Sequence, residues 1–307
     1  MVYQGGTSSI QDAPPEQSGI ERRRNRIDIM RHDPLTPGDN LRNRYTITRV
    51  HSLGGMSALY EARDDDGSAS ARRCAIKETI IQDTEDALAS EQIDDFERVA
   101  GALLTLDHPA IPKTFDRFVE DDRTYLVTEF VEGKDLDTVL GEQRGRLPVR
   151  QVYDWGVELC EALNYLHLHE PEPIIFRDLK PANVMIDRQG HVRLVDFGIA
   201  VIYTPTRLYA PLGTDGYAAP EQYMGEAFPA IDIYGLGAML HHLLSGSDPR
   251  LEPPFSFEKR PIRKANPDVP EALEAVVMRA VSHDSWDRFA SMAEMLAALK
   301  DAGQALS

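Results

Sequence analysis

Cysteine is scarce: Cys74 and Cys160 are the only two among 307 residues. Two thiols in separate apolar runs supply neither a disulfide framework nor metal-ligand spacing, and both read as small buried hydrophobes. Basic charge is also in deficit, with 33 Lys plus Arg against 50 Asp plus Glu and a formal net charge of -17. Phosphate backbones and anionic lipid surfaces are held by clustered Lys and Arg. The balance therefore argues against nucleic acid or an anionic membrane as main partner, and the acidity reads as a solubility feature. No apolar run approaches the ~18 residues of a membrane-spanning helix, and Met1 opens no signal-peptide pattern. No membrane span is expected, and the expected location is cytoplasmic. There is no internal repeat.

What is present suffices for a large core, since 42% of the residues are hydrophobic. Residues 1–44 differ from the rest. They are rich in Gly, Ser, Pro, Gln and Arg and cannot bury enough surface to order themselves, so a disordered basic tail is expected. Within it, Ile20 to Met30 mixes apolar residues with Arg22, Arg23, Arg24 and Arg26. This stretch reads either as a solvated basic patch or as a short amphipathic helix on a protein partner or on the body of the chain's own folded domain.

Two stretches carry the chemistry. Ile175-Phe176-Arg177-Asp178-Leu179-Lys180-Pro181-Ala182-Asn183 is followed thirteen residues after Asn183 by Asp196-Phe197-Gly198. An acid, a lysine and an amide at this spacing, then a second acid before a glycine, can place a base, a cation and two metal ligands around one phosphoryl group. The joint spacing resembles the catalytic and magnesium-binding loops of bacterial-type Ser/Thr protein kinases, the eukaryotic-like protein kinase family. That resemblance implies Asp178 as the base that orients the substrate hydroxyl, Lys180 against the transferring phosphate, and Asn183 and Asp196 as magnesium ligands.

The same resemblance organises the rest. Short β-branched and aromatic runs at Tyr45 to His51, Ala58 to Arg63 and Ala71 to Thr79 predict three antiparallel strands, with Asp64-Asp65-Asp66-Gly67 as a hairpin turn. Ser52, Gly54, Gly55 and Ser57 stand where the family's Gly-rich loop covers the ATP phosphates. The family's three glycines read Ser, Gly, Ser here, which implies weakened nucleotide binding. Lys77 matches the lysine that contacts the α- and β-phosphates. Its expected partner is a glutamate on the following helix, about Glu85 to Leu106. Counting back from Leu106-Asp107-His108-Pro109 puts that position at Val99; counting forward from Lys77 suggests Glu97. Residues two apart face nearly opposite ways on a helix, so one only can serve, and the backward count is preferred. Glu91 or Glu97 reaching Lys77 within about 4 Å in a rearranged helix would favour activity. Thr128, Glu129 and Val131 resemble the hinge that holds the adenine edge, with Leu59, Ala75 and Met185 around the ring.

In the catalytic loop Phe176 replaces the family's histidine, and the resemblance implies that its ring packs against Phe197. Arg177 before Asp178 resembles kinases whose activation segment is ordered by a phosphate on that arginine. Thr204, Thr206 and Tyr209 are candidate phosphosites in a segment running from Asp196 to Glu221. Gly213-Thr214-Asp215-Gly216-Tyr217-Ala218-Ala219-Pro220-Glu221 resembles the substrate-docking turn. There Thr214 would bridge Asp178 and Lys180, Glu221 would pair with Arg288, and Asp232 would anchor the catalytic-loop backbone. Val152, Trp155, Leu159, Ala162, Leu163 and Leu166 mark one long helix, and two more close the chain at about Glu271 to Ser282 and Met292 to Ala302. Ser291 and Glu294 form a capping-box signature for the last.

The expected fold is therefore α+β and bilobal, a protein-kinase fold over residues 45–300. A β-rich N-lobe with one helix and the hinge start (45–131) precedes an α-helical C-lobe (132–300) and a short tail (301–307). The expected function is a Ser/Thr protein kinase using ATP and Mg2+ on protein substrates in signalling, regulated through its activation segment. The alternative is a pseudokinase, a nucleotide-binding scaffold or allosteric partner, which the altered Gly-rich loop and Val99 would favour.

Overall fold

A computed structural model describes residues 33–54, 57–65, 67, 71–80, 87–121, 123–143 and 147–306, with side chains omitted at 80 and 87–93. Gly55, Asp66 and the Ile20 to Met30 stretch lie outside these residues.

The small lobe is one antiparallel sheet of six strands: β1 (Asn40–Leu41), β2 (Tyr45–Leu53), β3 (Ser57–Asp64), β4 (Arg72–Ile80), β5 (Thr114–Glu120) and β6 (Arg123–Glu129), in the order β1-β2-β3-β4-β6-β5. Its polarity follows from the two-residue period of a strand. In β4, Cys74, Ile76 and Glu78 are buried, whereas Ala75, Lys77 and Thr79 are only half-buried. The buried set joins Tyr45, Ile47, Tyr60, Ala62, Phe118, Tyr125 and Val127 in a core of the lobe's own. Ala75 and Lys77 are thereby turned to the other face, opposite Thr128 and Leu126 of β6.

The boundary expected at residue 44 falls after β1, whose Leu41 is buried in this core. The β3–β4 hairpin forms, but Asp64 is more than a turn residue. It is fully buried between Arg44 and Arg72, each 2.6 Å away. Burial raises the pKa of its carboxyl, and the two guanidiniums more than reverse that, leaving it below the usual range.

One helix, α1 (Ala87–Leu103), follows β4. Its inner residues Val99, Ala100 and Leu103 are buried in the core of the larger lobe, with Phe176, Phe197 and Leu163. The larger lobe runs through β7 (Gly133–Asp135), α2 (Leu136–Glu142), α3 (Val149–His167), β8 (Ile174–Ile175), β9 (Val184–Asp187), β10 (Val192–Leu194), β11 (Val201–Ile202), α4 (Ala230–Ser245), α5 (Ile262–Ala265), α6 (Glu271–Ala280) and α7 (Met292–Ala302). Helix α3 buries the expected apolar stripe, Val152 to Leu166. Helix α4 is buried on all sides and forms the axis of the lobe. Helix α7 starts at the expected cap, with Ser291 Oγ accepting from Glu294 N at 3.2 Å. The reciprocal arm differs: the Glu294 carboxylate accepts from Ala290 N at 2.7 Å.

Behind α4, Arg288 donates to both carboxylate oxygens of Glu221 at 2.6 and 2.9 Å and to the carbonyls of Ala230, Ser282 and His283. Its side chain is fully buried. Removing one partner of a buried, hydrogen-bonded ion pair leaves the other charge uncompensated. Arg288→Ala is therefore expected to lower unfolding stability by about 3–5 kcal/mol, read from the denaturant midpoint, whereas truncating exposed Arg188 should change it by less than about 0.5 kcal/mol.

Candidate active site

The candidate site begins with a buried acid. Asp232, in the first turn of α4, accepts from the backbone N–H groups of Phe176 at 2.9 Å and Arg177 at 2.8 Å, and from His167 Nε2 at 2.7 Å. Gln222 donates to the Arg177 carbonyl at 2.9 Å. Both backbone groups of Arg177 are thus tied, which holds it in the left-handed region at φ 68°. A non-glycine residue keeps such a conformation only where its surroundings fix it.

The Phe176 ring packs edge-on against Phe197, with centroids 5.1 Å apart. The loop emerging from this anchor presents Asp178 to three donors. Thr214 Oγ1 donates to Oδ1 at 2.7 Å, and Lys180 Nζ and Asn183 Nδ2 reach Oδ2 at 2.7 and 2.8 Å. Lys180 also donates to Thr214 Oγ1 at 2.8 Å. Thr214 is held by the docking turn, where Gly216 has φ 84° and a Cβ would stand 2.6 Å from the Pro249 carbonyl carbon. Only glycine fits there.

Asp196 lies across from Asp178 with φ 67°. Its Oδ1 accepts from Gly198 N at 3.0 Å and pairs with Lys77 Nζ. Burial in the cleft raises the pKa of this carboxyl, but Lys77 and the Gly198 N–H outweigh it and hold it below the usual range. A Cβ on Gly198 would come within 2.5 Å of Lys77 Nζ, so glycine there allows the pair to close.

Lys77, Asn183 and Asp196 line one cavity of about 330 Å³ between the lobes, whereas Asp178, Lys180 and Thr214 lie outside its lining. The expected Ser52, Ser57, Leu59, Ala75, Lys77, Thr128, Glu129, Val131, Asn183, Met185 and Asp196 all line it. Gly54 closes the loop above through Gly54 N to Ser57 O at 2.8 Å. Further side chains line the cavity, among them Phe96 and Phe130. Phe96 was visible only as one of α1's regularly spaced apolar positions, and Phe130 follows the hinge pair, with the Arg73 guanidinium stacked 3.8 Å above its ring.

The helix partner of Lys77 is where the arrangement departs from the family pattern. Glu97 pairs with Arg117 of β5, which also donates to the Glu97 carbonyl at 2.8 Å. Val99 is buried in the core. The Glu91 side chain lies outside the described residues. Among the described side chains, the carboxylate paired with Lys77 is that of Asp196.

Arg177 is buried as well. Its Nη2 donates to Ala210 O at 2.6 Å and its Nη1 to Ile199 O at 3.3 Å, while Nε is buried with no acceptor. Burial lowers its pKa against nearby Asp232 and Asp95. Of the candidate phosphosites, Thr206 is exposed, Thr204 half-buried and Tyr209 buried, with the Tyr209 hydroxyl donating to Ile202 O at 2.7 Å.

The protein kinase domain family model matches residues 50–297. The chain is 32% identical over 277 residues to the serine/threonine-protein kinase PrkC of Bacillus subtilis, covering 86% of this chain and 41% of that protein. It is 30% identical over 283 residues to the serine/threonine-protein kinase PknB of Mycolicibacterium smegmatis, covering 86% and 44%. The chain thus spans less than half the length of these curated relatives. Among solved structures it is similar to the Mycobacterium tuberculosis PknI kinase domain, with a TM-score of 0.68 and 25% identity over 88% of this chain and 100% of that one.

The anchor makes a direct prediction. Asp232→Ala leaves two backbone N–H groups and a buried imidazole without their acceptor, at about 1–3 kcal/mol for each unsatisfied group. A loss of at least about 3 kcal/mol in unfolding free energy is expected, with faster amide exchange at Phe176 and Arg177 than in the rest of α4's surroundings.

Proposed function

Because the chain belongs to the protein kinase domain family, with bacterial Ser/Thr protein kinases as relatives, we propose that it transfers the γ-phosphate of ATP to Ser or Thr hydroxyls of protein substrates. The observation that carries this reading is Asp178, fixed by Lys180, Asn183 and Thr214 at 2.7–2.8 Å. A carboxylate oriented by three donors serves as the acceptor for a substrate hydroxyl proton. Lys180 spends two of its three N–H donors on Asp178 and Thr214, which leaves the third for a phosphoryl oxygen.

The donor set suits magnesium, which takes oxygen ligands. Asn183 uses its Nδ2 toward Asp178 O and Oδ2, both at 2.8 Å, so its amide oxygen is the group left for a cation, beside the Asp196 carboxylate. Asn183 and Asp196 would hold the cation, whose charge would offset that of the ATP phosphates. Backbone groups of Glu129 and Val131 take the adenine edge, between Ala75, Leu59 and Met185. Lys77 takes the α- and β-phosphates, in exchange for its contact with Asp196.

The departures from the family pattern concern positioning. With Ser52 and Ser57 in the Gly-rich loop and no described helix carboxylate on Lys77, a loss on the order of two decades in turnover is compatible with the site. Losing the base or a metal ligand would remove far more, and Asp178, Asn183 and Asp196 keep the residue types that those roles need. Thr206 is the accessible phosphosite candidate. A cytoplasmic signalling role, and a protein partner for the N-terminal tail, complete the proposal.

The test is intact mass. Dephosphorylated protein incubated with magnesium and ATP is expected to gain mass in whole-phosphate steps in the parent, and none in Asp178→Asn. Equal gain in both would contradict the role of Asp178. No gain in either, together with no transfer to any added protein, would contradict the kinase reading.

A further inference from the structure

Helix α1 carries a buried acid that the catalytic account does not use. Asp95, Val99 and Leu103 follow one another at four-residue spacing and share a face, and all three are buried. That face belongs to the larger lobe's core and packs against β11, the start of the activation segment. Five residues beyond β11 stands Arg207. Its Nη2 donates to Asp95 Oδ2 at 3.1 Å, and its Nη1 lies 2.7 Å from Oδ1. The guanidinium also stacks 4.8 Å above the ring of Tyr209.

The segment around this contact is closed on itself by other bonds. The Tyr209 hydroxyl accepts from Thr204 N at 3.0 Å and donates to Ile202 O, and Tyr209 N donates to Gly225 O at 2.7 Å. Arg177, which resemblance offers as the phosphate receptor, already gives both terminal nitrogens to the carbonyls of Ile199 and Ala210. The segment is therefore held on both sides by groups of the chain itself.

We propose that the Arg207–Asp95 ion pair couples the activation segment to α1, so that the segment keeps its ordered arrangement with no phosphate on it. Asp95 and Arg207 are then positioning residues, acting on the site through α1 and the segment. Burial keeps the Asp95 carboxyl above the ordinary range even though Arg207 and, less strongly, Arg98 and Arg177 pull it down. The pair thus specifies an arrangement more than it adds net stability. Losing Arg207 alone leaves a buried carboxylate without its partner, and the face of α1 that holds it has to open.

The inference rests on reading residues 196–221 as the activation segment, and its test is chosen to be independent of turnover. Amide hydrogen exchange is measured on phosphatase-treated Asp178→Asn protein, which carries no phosphate whether or not the parent is an active kinase. Residues 202–210 are expected to be protected. Adding Arg207→Gln should speed exchange about tenfold or more in both 202–210 and 94–103. Asp95→Asn should do the same, the double variant should go no further, and Arg207→Lys should retain most of the protection. Exchange in α4 serves as the reference and stays unchanged. Three results overturn the proposal: an unprotected segment in the phosphate-free protein, faster exchange in 202–210 with none in 94–103, or equal acceleration in α4, which would mark a general loss of stability.

Discussion

The carboxylate of Asp232 is the constraint from which the site is built. It is almost fully buried, yet it takes two backbone N–H groups and an imidazole. A charge is tolerated there because every contact is a donor. In return it keeps Arg177 at a φ that its side chain disfavours, and that turn lifts Asp178 out of the core toward Lys180, Asn183 and Thr214. The acid sits on a helix buried along nearly its whole length, so the loop is tied to the core of the larger lobe.

The other half of the site is less firmly held. Lys77 is aimed into the cleft by the alternation of β4, with Cys74 and Ile76 buried on the opposite face. Its partner is an acid of the opposite wall, Asp196, because Arg117 takes Glu97 and the core takes Val99. The small lobe therefore contributes a cation whose position depends on the charge it faces. In the proposed function, nucleotide phosphates and a cation at Asp196 would exchange that contact. The loop around Asp178 is thus tied to α4, Lys77 faces Asp196 across the cleft, and α1 is joined to the larger lobe through Leu103 and Arg207.

Much of this was legible in the sequence. The spacing from Asp178 to Asp196, the Thr128–Glu129 stretch and the stripe on α3 are local patterns, and the Glu221–Arg288 pair, 67 residues apart, came from the family resemblance. The helix glutamate shows where such reading stops. Two counts gave Val99 and Glu97, and sequence could not tell that Arg117, twenty residues on, would claim the carboxylate. Asp64 looked like a turn residue because its partners come from elsewhere in the sheet, Arg44 from the β1–β2 turn and Arg72 from β4. Asp95 and Arg207 are 112 residues apart and carry no motif, so their pairing had no signal in the chain. In each case the missing information is a long-range charge contact, which depends on which surfaces the fold brings together.

The account stands or falls on whether this site moves a phosphoryl group to a Ser or Thr hydroxyl. The most direct measurement is phosphoamino-acid analysis of an arrayed peptide library labelled with γ-phosphate from ATP and magnesium. Label is expected as phosphoserine and phosphothreonine, lost on Asp178→Asn and on Asp196→Asn. Label on tyrosine, or label that persists without Asp178, would contradict it.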